Sequence, residues 1–199
     1  DTDTSMAGGT QLGTIEFEGS DTNNDGTKAF ITAVTETAAA QTSLVFGTAT
    51  SGQANAQARM TINSDGDAGI GTSAPAGKLH IMSGDAGTVT PSSQADDLVV
   101  EASTEGGITI MTPDDQSARI RFTSPSTEAG DVGGADIFYR QNINKMSMGT
   151  TVSGGLLVFK AGAGVETMVL DNGNVGIGTD DPQHKLHVKS TAHDEPIAL

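Results

Sequence analysis

Residues 171–190 repeat residues 64–83 without a gap at a spacing of 107, and 10 of the 20 positions are identical. The first copy reads Asp65-Gly-Asp-Ala-Gly-Ile-Gly-Thr-Ser-Ala-Pro-Ala-Gly-Lys-Leu-His-Ile81. The second reads Asn172-Gly-Asn-Val-Gly-Ile-Gly-Thr-Asp-Asp-Pro-Gln-His-Lys-Leu-His-Val188. A repeat of this length makes the chain a modular array, whose units complete their burial against neighbouring repeats or subunits.

The residues around the motif suit that reading. Aromatic residues are 4% of the 199, with one Tyr and no Trp, and Gly numbers 26. Large apolar residues come in short runs, which fit short strands better than one thick core. There is no Cys, so disulfides and thiolate metal sites are excluded. A net charge of −15 opposes binding to a nucleic-acid backbone and fits a solvated acidic surface. No apolar run approaches the roughly 18 residues of a membrane span. The start, Asp1-Thr-Asp-Thr-Ser5, is neither a signal peptide nor an initiator Met and reads as a processed product or a segment of something longer.

Taken in order, residues 1–11 read as loose. A first β-module spans 12–83, with strands expected at Thr14–Glu18, Lys28–Val34, Thr42–Phe46 and Arg59–Asn63 before the motif closes it. Residues 84–94 read as a linker. A second module spans 95–190. It opens with a hairpin of Asp97–Glu101 and Gly107–Met111 around Thr104–Gly106. Strands follow at Ala118–Phe122, Ala135–Tyr139, Lys145–Met148, Leu156–Phe159 and Glu166–Leu170, and the second motif ends it. The strand around Met146 has no counterpart in the first module. Residues 191–199 form a tail. No segment carries a helical apolar stripe, so the fold class is all-β.

Asp65-Gly66 and Asn172-Gly173 are favoured pairs for a two-residue type I′ hairpin turn, where both residues take positive φ. That turn sets Leu170 against Val175, Val169 against Gly176 and Met168 against Ile177. By the same offset Ile62 stands against Gly69. Gly69, Gly71, Gly176 and Gly178 thin one face and permit close approach by another chain. Pro75 and Pro182 end the ladder, and Lys-Leu-His restarts it with Leu79 or Leu186 inward. The residues expected to supply burial between chains are Ile62, Ile70, Leu79, Val169, Val175, Ile177 and Leu186.

The Asp/Asn-Gly-Asn-Val-Gly-Ile-Gly-Thr-x-x-Pro-x-x-Lys-Leu-His-Val pattern resembles the repeat of tailed-bacteriophage tail fibres, which often end in an endosialidase-type intramolecular chaperone. Ala95–Glu101, Gly107–Asp115, Ile120–Phe122 and Leu12–Asp21 resemble shaft modules of the same fibres, so the resemblance covers most of 10–190. It implies an elongated modular β-meander or β-helical fibre, built as an intertwined homotrimer. It also implies a virion-surface or extracellular location, with other fibre or virion proteins as partners and a host surface polysaccharide or protein at the tip. Related repeats occur in bacterial surface proteins, so an extracellular adhesin or filament subunit is the alternative reading. A capsule-degrading fibre enzyme is the third.

Candidate chemistry is sparse. Asp21-x-Asn23-x-Asp25-Gly26 matches the first half of a calcium loop, but the twelfth position is Thr32 rather than Glu. A plain acidic hairpin loop is the alternative. His80 and His187 recur at one place, and a trimer axis would gather three imidazoles there as a metal site. A packing or surface role is the other reading. Gly-Ile-Gly-Thr lacks the Lys-Ser/Thr ending of a phosphate loop, and no Gly-x-Ser-x-Gly elbow exists. The expectation is therefore a structural protein with no catalytic residues and no cofactor beyond a possible calcium ion.

Overall fold

The computed structural model describes residues 7–20, 25–37, 41–53, 55–88, 90–123 and 134–190. The chain is all-β, 50% strand, with open sheets and no barrel. It divides into two compact units at 108/109.

The first unit is one seven-stranded sheet in sequence order. It contains β1 (Gln11–Gly19), β2 (Gly26–Thr35), β3 (Thr42–Thr48), β4 (Gln57–Ile62), β5 (Ala68–Ile70), β6 (Leu79–Met82) and β7 (Leu98–Glu101). The first five pair antiparallel, whereas β5–β6 and β6–β7 are parallel. All four strands expected ahead of the motif form within one to three residues of their expected ends. Residues 7–10 are held rather than loose: Thr35 Oγ1 donates to Ala7 O at 2.6 Å and accepts from Thr10 N at 2.9 Å.

The second unit contains two sheets. β8 (Ser117–Thr123), β9 (Gly134–Arg140) and β10 (Lys145–Thr150) form an antiparallel sheet, with a single 3-10 turn at Gln141–Ile143. β11 (Leu157–Ala161), β12 (Val165–Asp171), β13 (Asn174–Ile177) and β14 (Leu186–Val188) form the other, in which only β13–β14 is parallel.

The second motif turns as its dipeptide dictates. Asn172 and Gly173 have φ of 47° and 80°, and Asp171 faces Asn174 across a two-residue turn. The expected pairs Met168–Ile177, Val169–Gly176 and Leu170–Val175 all form. The first motif differs. Of its turn residues only Gly66 has positive φ. Gly66 N donates to Asn63 O, and Asn63 N donates to Asp67 O, which closes a three-residue loop with the bulge that Gly permits. The Asn63 Oδ1 atom accepts from Asp65 N and Asp67 N and fixes that loop. One extra loop residue shifts the register, so Thr61, not Ile62, stands opposite Gly69. A one-residue shift exchanges faces, and Ile62 lies beside Met60 on the other side.

The hairpin expected between 97–101 and 107–111 does not form. β7 leaves the expected second module and extends the first sheet, parallel to β6. Residues 107–111 carry no strand, and Ile108 instead lines a groove of about 570 Å³ along β7 with Val99 and Val100.

Candidate assembly interface

Side chains alternate across a strand, so the registers sort every residue to one of two faces. In the first sheet a single row joins Ile15, Ile31, Phe46, Met60, Ile70, Ile81 and Val100. The next row on that face joins Ala33, Leu44, Ile62, Ala68, Leu79 and Leu98. Both rows are apolar from end to end. Yet Ile15 is 61% exposed, and Leu44, Ile70, Ile81, Leu98 and Val100 are exposed as well.

The opposite face carries Thr32, Val45, Thr61, Gly69, His80 and Val99. It is more polar and more buried: Thr61 is 3% exposed and His80 2%. The chain covers this side itself. A parallel pair needs its connection to cross a face. Residues 71–78 cross here, so Thr72 O lies against Gly69 and Ala76 N donates to His80 Nδ1 at 3.2 Å. The unit thus buries its polar face and leaves its apolar face to solvent.

The three-stranded sheet of the second unit repeats the arrangement, and the four-stranded sheet shares its exposed apolar rows but covers Val158 and Val169. Ile120, Ile137 and Met148 form one row of the three-stranded sheet, flanked by Ala118, Tyr139 and Met146 and by Phe122 and Ala135. Ile120, Phe122, Tyr139, Met146 and Met148 are exposed. The reverse face holds Arg119, Arg121, Asp136, Phe138 and Arg140. There the Asp136 carboxylate lies 3.9 Å from both Arg119 and Arg121, and Arg119 stacks on Phe138. In the four-stranded sheet Phe159, Met168, Ile177 and Val188 form one row and Leu157, Leu170, Val175 and Leu186 the next.

The expected burial residues therefore separate. Ile62, Ile70, Leu79, Val175, Ile177 and Leu186 lie on the open faces. Val169 does not: it is 2% exposed, opposite Gly176 on the covered face, where the chain's own Thr179 O lies against Gly176. The glycines also serve the chain itself. A Cβ on Gly69 or Gly176 would strike Thr72 O or Thr179 O, and one on Gly71 or Gly178 would strike Met82 O or Lys189 O. Close approach is intramolecular, by the crossover loop and the parallel strand. Leu79 and Leu186 are not the inward residues of the restarted strand. The parallel register places His80 and His187 opposite Gly69 and Gly176, and the histidines point into the covered face.

Each histidine closes its loop in the same way. Gln183 N approaches His187 Nδ1 at 3.4 Å, as Ala76 N does His80. With Nδ1 accepting, the proton of the neutral ring sits on Nε2. His80 Nε2 lies 3.0 Å from Glu101 Oε2 on β7 but without hydrogen-bond geometry. Among the described residues no three His, Asp or Glu side chains converge as a metal site. Of the calcium-loop residues, Asp21 and Asn23 lie outside the described residues, and Asp25 Oδ1 accepts from Gly26 N at 2.9 Å. No helix among the described residues is long and apolar enough to cross a membrane.

Two polar braces hold the first unit, and neither was anticipated from the sequence. Glu36, just past β2, accepts from Ser43 Oγ, from Ser64 Oγ at 2.6 Å and from Ser64 N at 2.8 Å. The Ser43 bond, then the Ser64 bonds, hold its carboxyl below its ordinary value. Lys78 pairs with Asp67, whose hydrogen bond and charge raise the ammonium above its ordinary value. In the second copy Asn174 replaces Asp67, and Lys185 Nζ reaches Gly173 O at 3.3 Å instead.

The chain matches no protein-family model and no curated protein.

Proposed function

We infer that the chain is a structural shaft module of a homotrimeric fibre, a phage tail or capsid-attached fibre that projects a receptor-binding tip. The observation that carries this reading is the inverted burial of the seven-stranded and three-stranded sheets, where apolar rows face solvent and polar or charged residues take the other side; the four-stranded sheet also exposes Phe159, Ile177 and Leu186, although its covered face holds Val158 and Val169. A sheet of this kind is stable in water when its apolar face is covered, and burial contributes about 25 cal/mol per Å² of apolar surface. Open faces of this size on a single soluble chain mark an association surface. Three copies that turn these faces towards one axis make a β-rich shaft without needing a thick core in any one chain. His80 and His187 then face away from the axis, so an axial imidazole site has no place in this assembly. The acidic charge keeps such a shaft soluble and separates neighbouring shafts.

The test is the mass in solution. Light scattering on the purified chain at neutral pH should give three times the chain mass, and Ile70→Asp should reduce it to that of one chain. A folded wild-type monomer would overturn the reading.

A further inference from the structure

The two closing motifs share their parallel step, but among the described residues only the first is capped. β6 has β5 on one side and β7 on the other; β14 has only β13 beside it among the described residues. The capping strand is bonded through the backbone: Leu79 N donates to Asp97 O and Ser83 N to Glu101 O, both at 2.9 Å. It also brings a carboxylate to the buried histidine, with Glu101 beside His80 Nε2. The second copy has the same parallel register and the same loop bond to its histidine. Among the described residues it has no capping strand. Leu186 is 55% exposed where Leu79 is half-buried, and His187 is half-buried where His80 is buried.

We propose that the outer edge of β14 is a strand-acceptor site for a parallel segment with the chemistry of β7, the opening strand of a following module. This rests on the fibre reading, in which modules succeed one another. Two features fit that occupant. Main-chain bonding to a sheet edge supplies affinity without a preformed pocket. Charge supplies register: the acceptor segment carries Lys185 and Lys189 on either side of His187, and the donor is acidic at Asp97 and Glu101. The carboxylate three residues after the first strand leucine then meets His187, as Glu101 meets His80.

One substitution sets a limit on the donor. Gly77 lets Asp96 O approach so closely that no Cβ fits, and the matching residue in the second copy is His184. The incoming segment must turn away one residue earlier. Its paired part therefore begins at the position of Asp97, and a residue at the position of Asp96 contributes nothing.

The experiment titrates the 199-residue chain with a synthetic peptide of residues 97–103 and follows amide and imidazole NMR signals. Shifts confined to 185–189 and the His187 ring support the site. Val99→Pro in the peptide removes a ladder donor and should abolish the shifts. Glu101→Gln should retain the amide shifts and lose the His187 ring shift. A peptide of 95–103 should bind no more tightly than 97–103. No shift at millimolar peptide, or shifts spread over the apolar faces, would overturn the proposal. The oligomer measurement is separate: a monomer that binds the peptide keeps this site and removes the fibre, and a trimer that does not bind does the reverse.

Discussion

Alanine at three glycines of the first motif separates two costs that the structure assigns to different positions. Gly66 has φ of +79° and nothing within 4 Å of where a Cβ would sit. Gly66→Ala should therefore cost only the left-handed backbone conformation, about 1–2 kcal/mol. Gly69 has no positive φ, but its Cβ would overlap Thr72 O and approach Thr72 Cγ2 at 3.0 Å. Gly69→Ala should cost overpacking alone, about 1–3 kcal/mol. Gly71 combines φ of +80° with overlap on Met82 O, an atom fixed by the parallel strand. Gly71→Ala should cost both together, about 2–5 kcal/mol. The assay is urea unfolding at one fixed chain concentration, because assembly makes apparent stability concentration-dependent. With two compact units, the transition to score is that of the first. Gly176→Ala and Gly178→Ala should move the other transition in the same order. If Gly71→Ala were no worse than Gly66→Ala, the crossover loop and β6 would not pack as described.

Four further outcomes follow from the faces and the braces. Ile70→Asp and Ile120→Asp should dissociate the assembly while the circular dichroism of the protomer stays β-type, since both residues are exposed on the single chain. Val169→Ala, on the covered face, should do the opposite: it should cost about 1–3 kcal/mol in unfolding and leave the scattering mass unchanged. The Ser43 bond and then the Ser64 bonds hold the Glu36 carboxyl below its ordinary value, so its contribution is present above the ordinary carboxylate range and lost as pH falls through the lowered folded value; Glu36→Gln should flatten this acid limb. The Asp67 hydrogen bond and charge raise the Lys78 ammonium above its ordinary value, so its contribution holds below the ordinary lysine range and is lost as pH rises through the raised folded value. Lys78→Met should remove this alkaline loss, and added salt should weaken it in the wild type.

Local alternation made most strands legible, and the Asn172-Gly173 turn followed from the φ values that its two residues tolerate. Asp65-Gly66 looked equivalent, but a serine ahead of it and Asn63 beneath it favour a longer loop, and the register moved with it. The face of Val169 was read correctly, but not what covers it. Glycines opposite a buried residue announce a close approach without saying whose. The β6–β7 pair was invisible for a different reason. Parallel partners are joined here through residues 83–97, and nothing in a four-residue strand says which distant edge it will join. The braces of Glu36 depend on Ser43 and Ser64 meeting across the sheet, a coincidence of register that sequence spacing does not display.

The parallel step in the closing motif works like a carriage return. In a pure antiparallel meander every strand reverses the chain, so an even or odd strand count decides which way the next segment runs. The crossover of 71–78 cancels one reversal, and β5 and β6 run the same way. Direction is thus carried through the motif without a further reversal. Five strands precede β6 in the first sheet, whereas the second unit inserts an extra strand and splits its sheets before reaching β14. Gaining or losing one antiparallel strand ahead of the motif would reverse β5, β6 and β7 together, so the motif passes on the direction that reaches it.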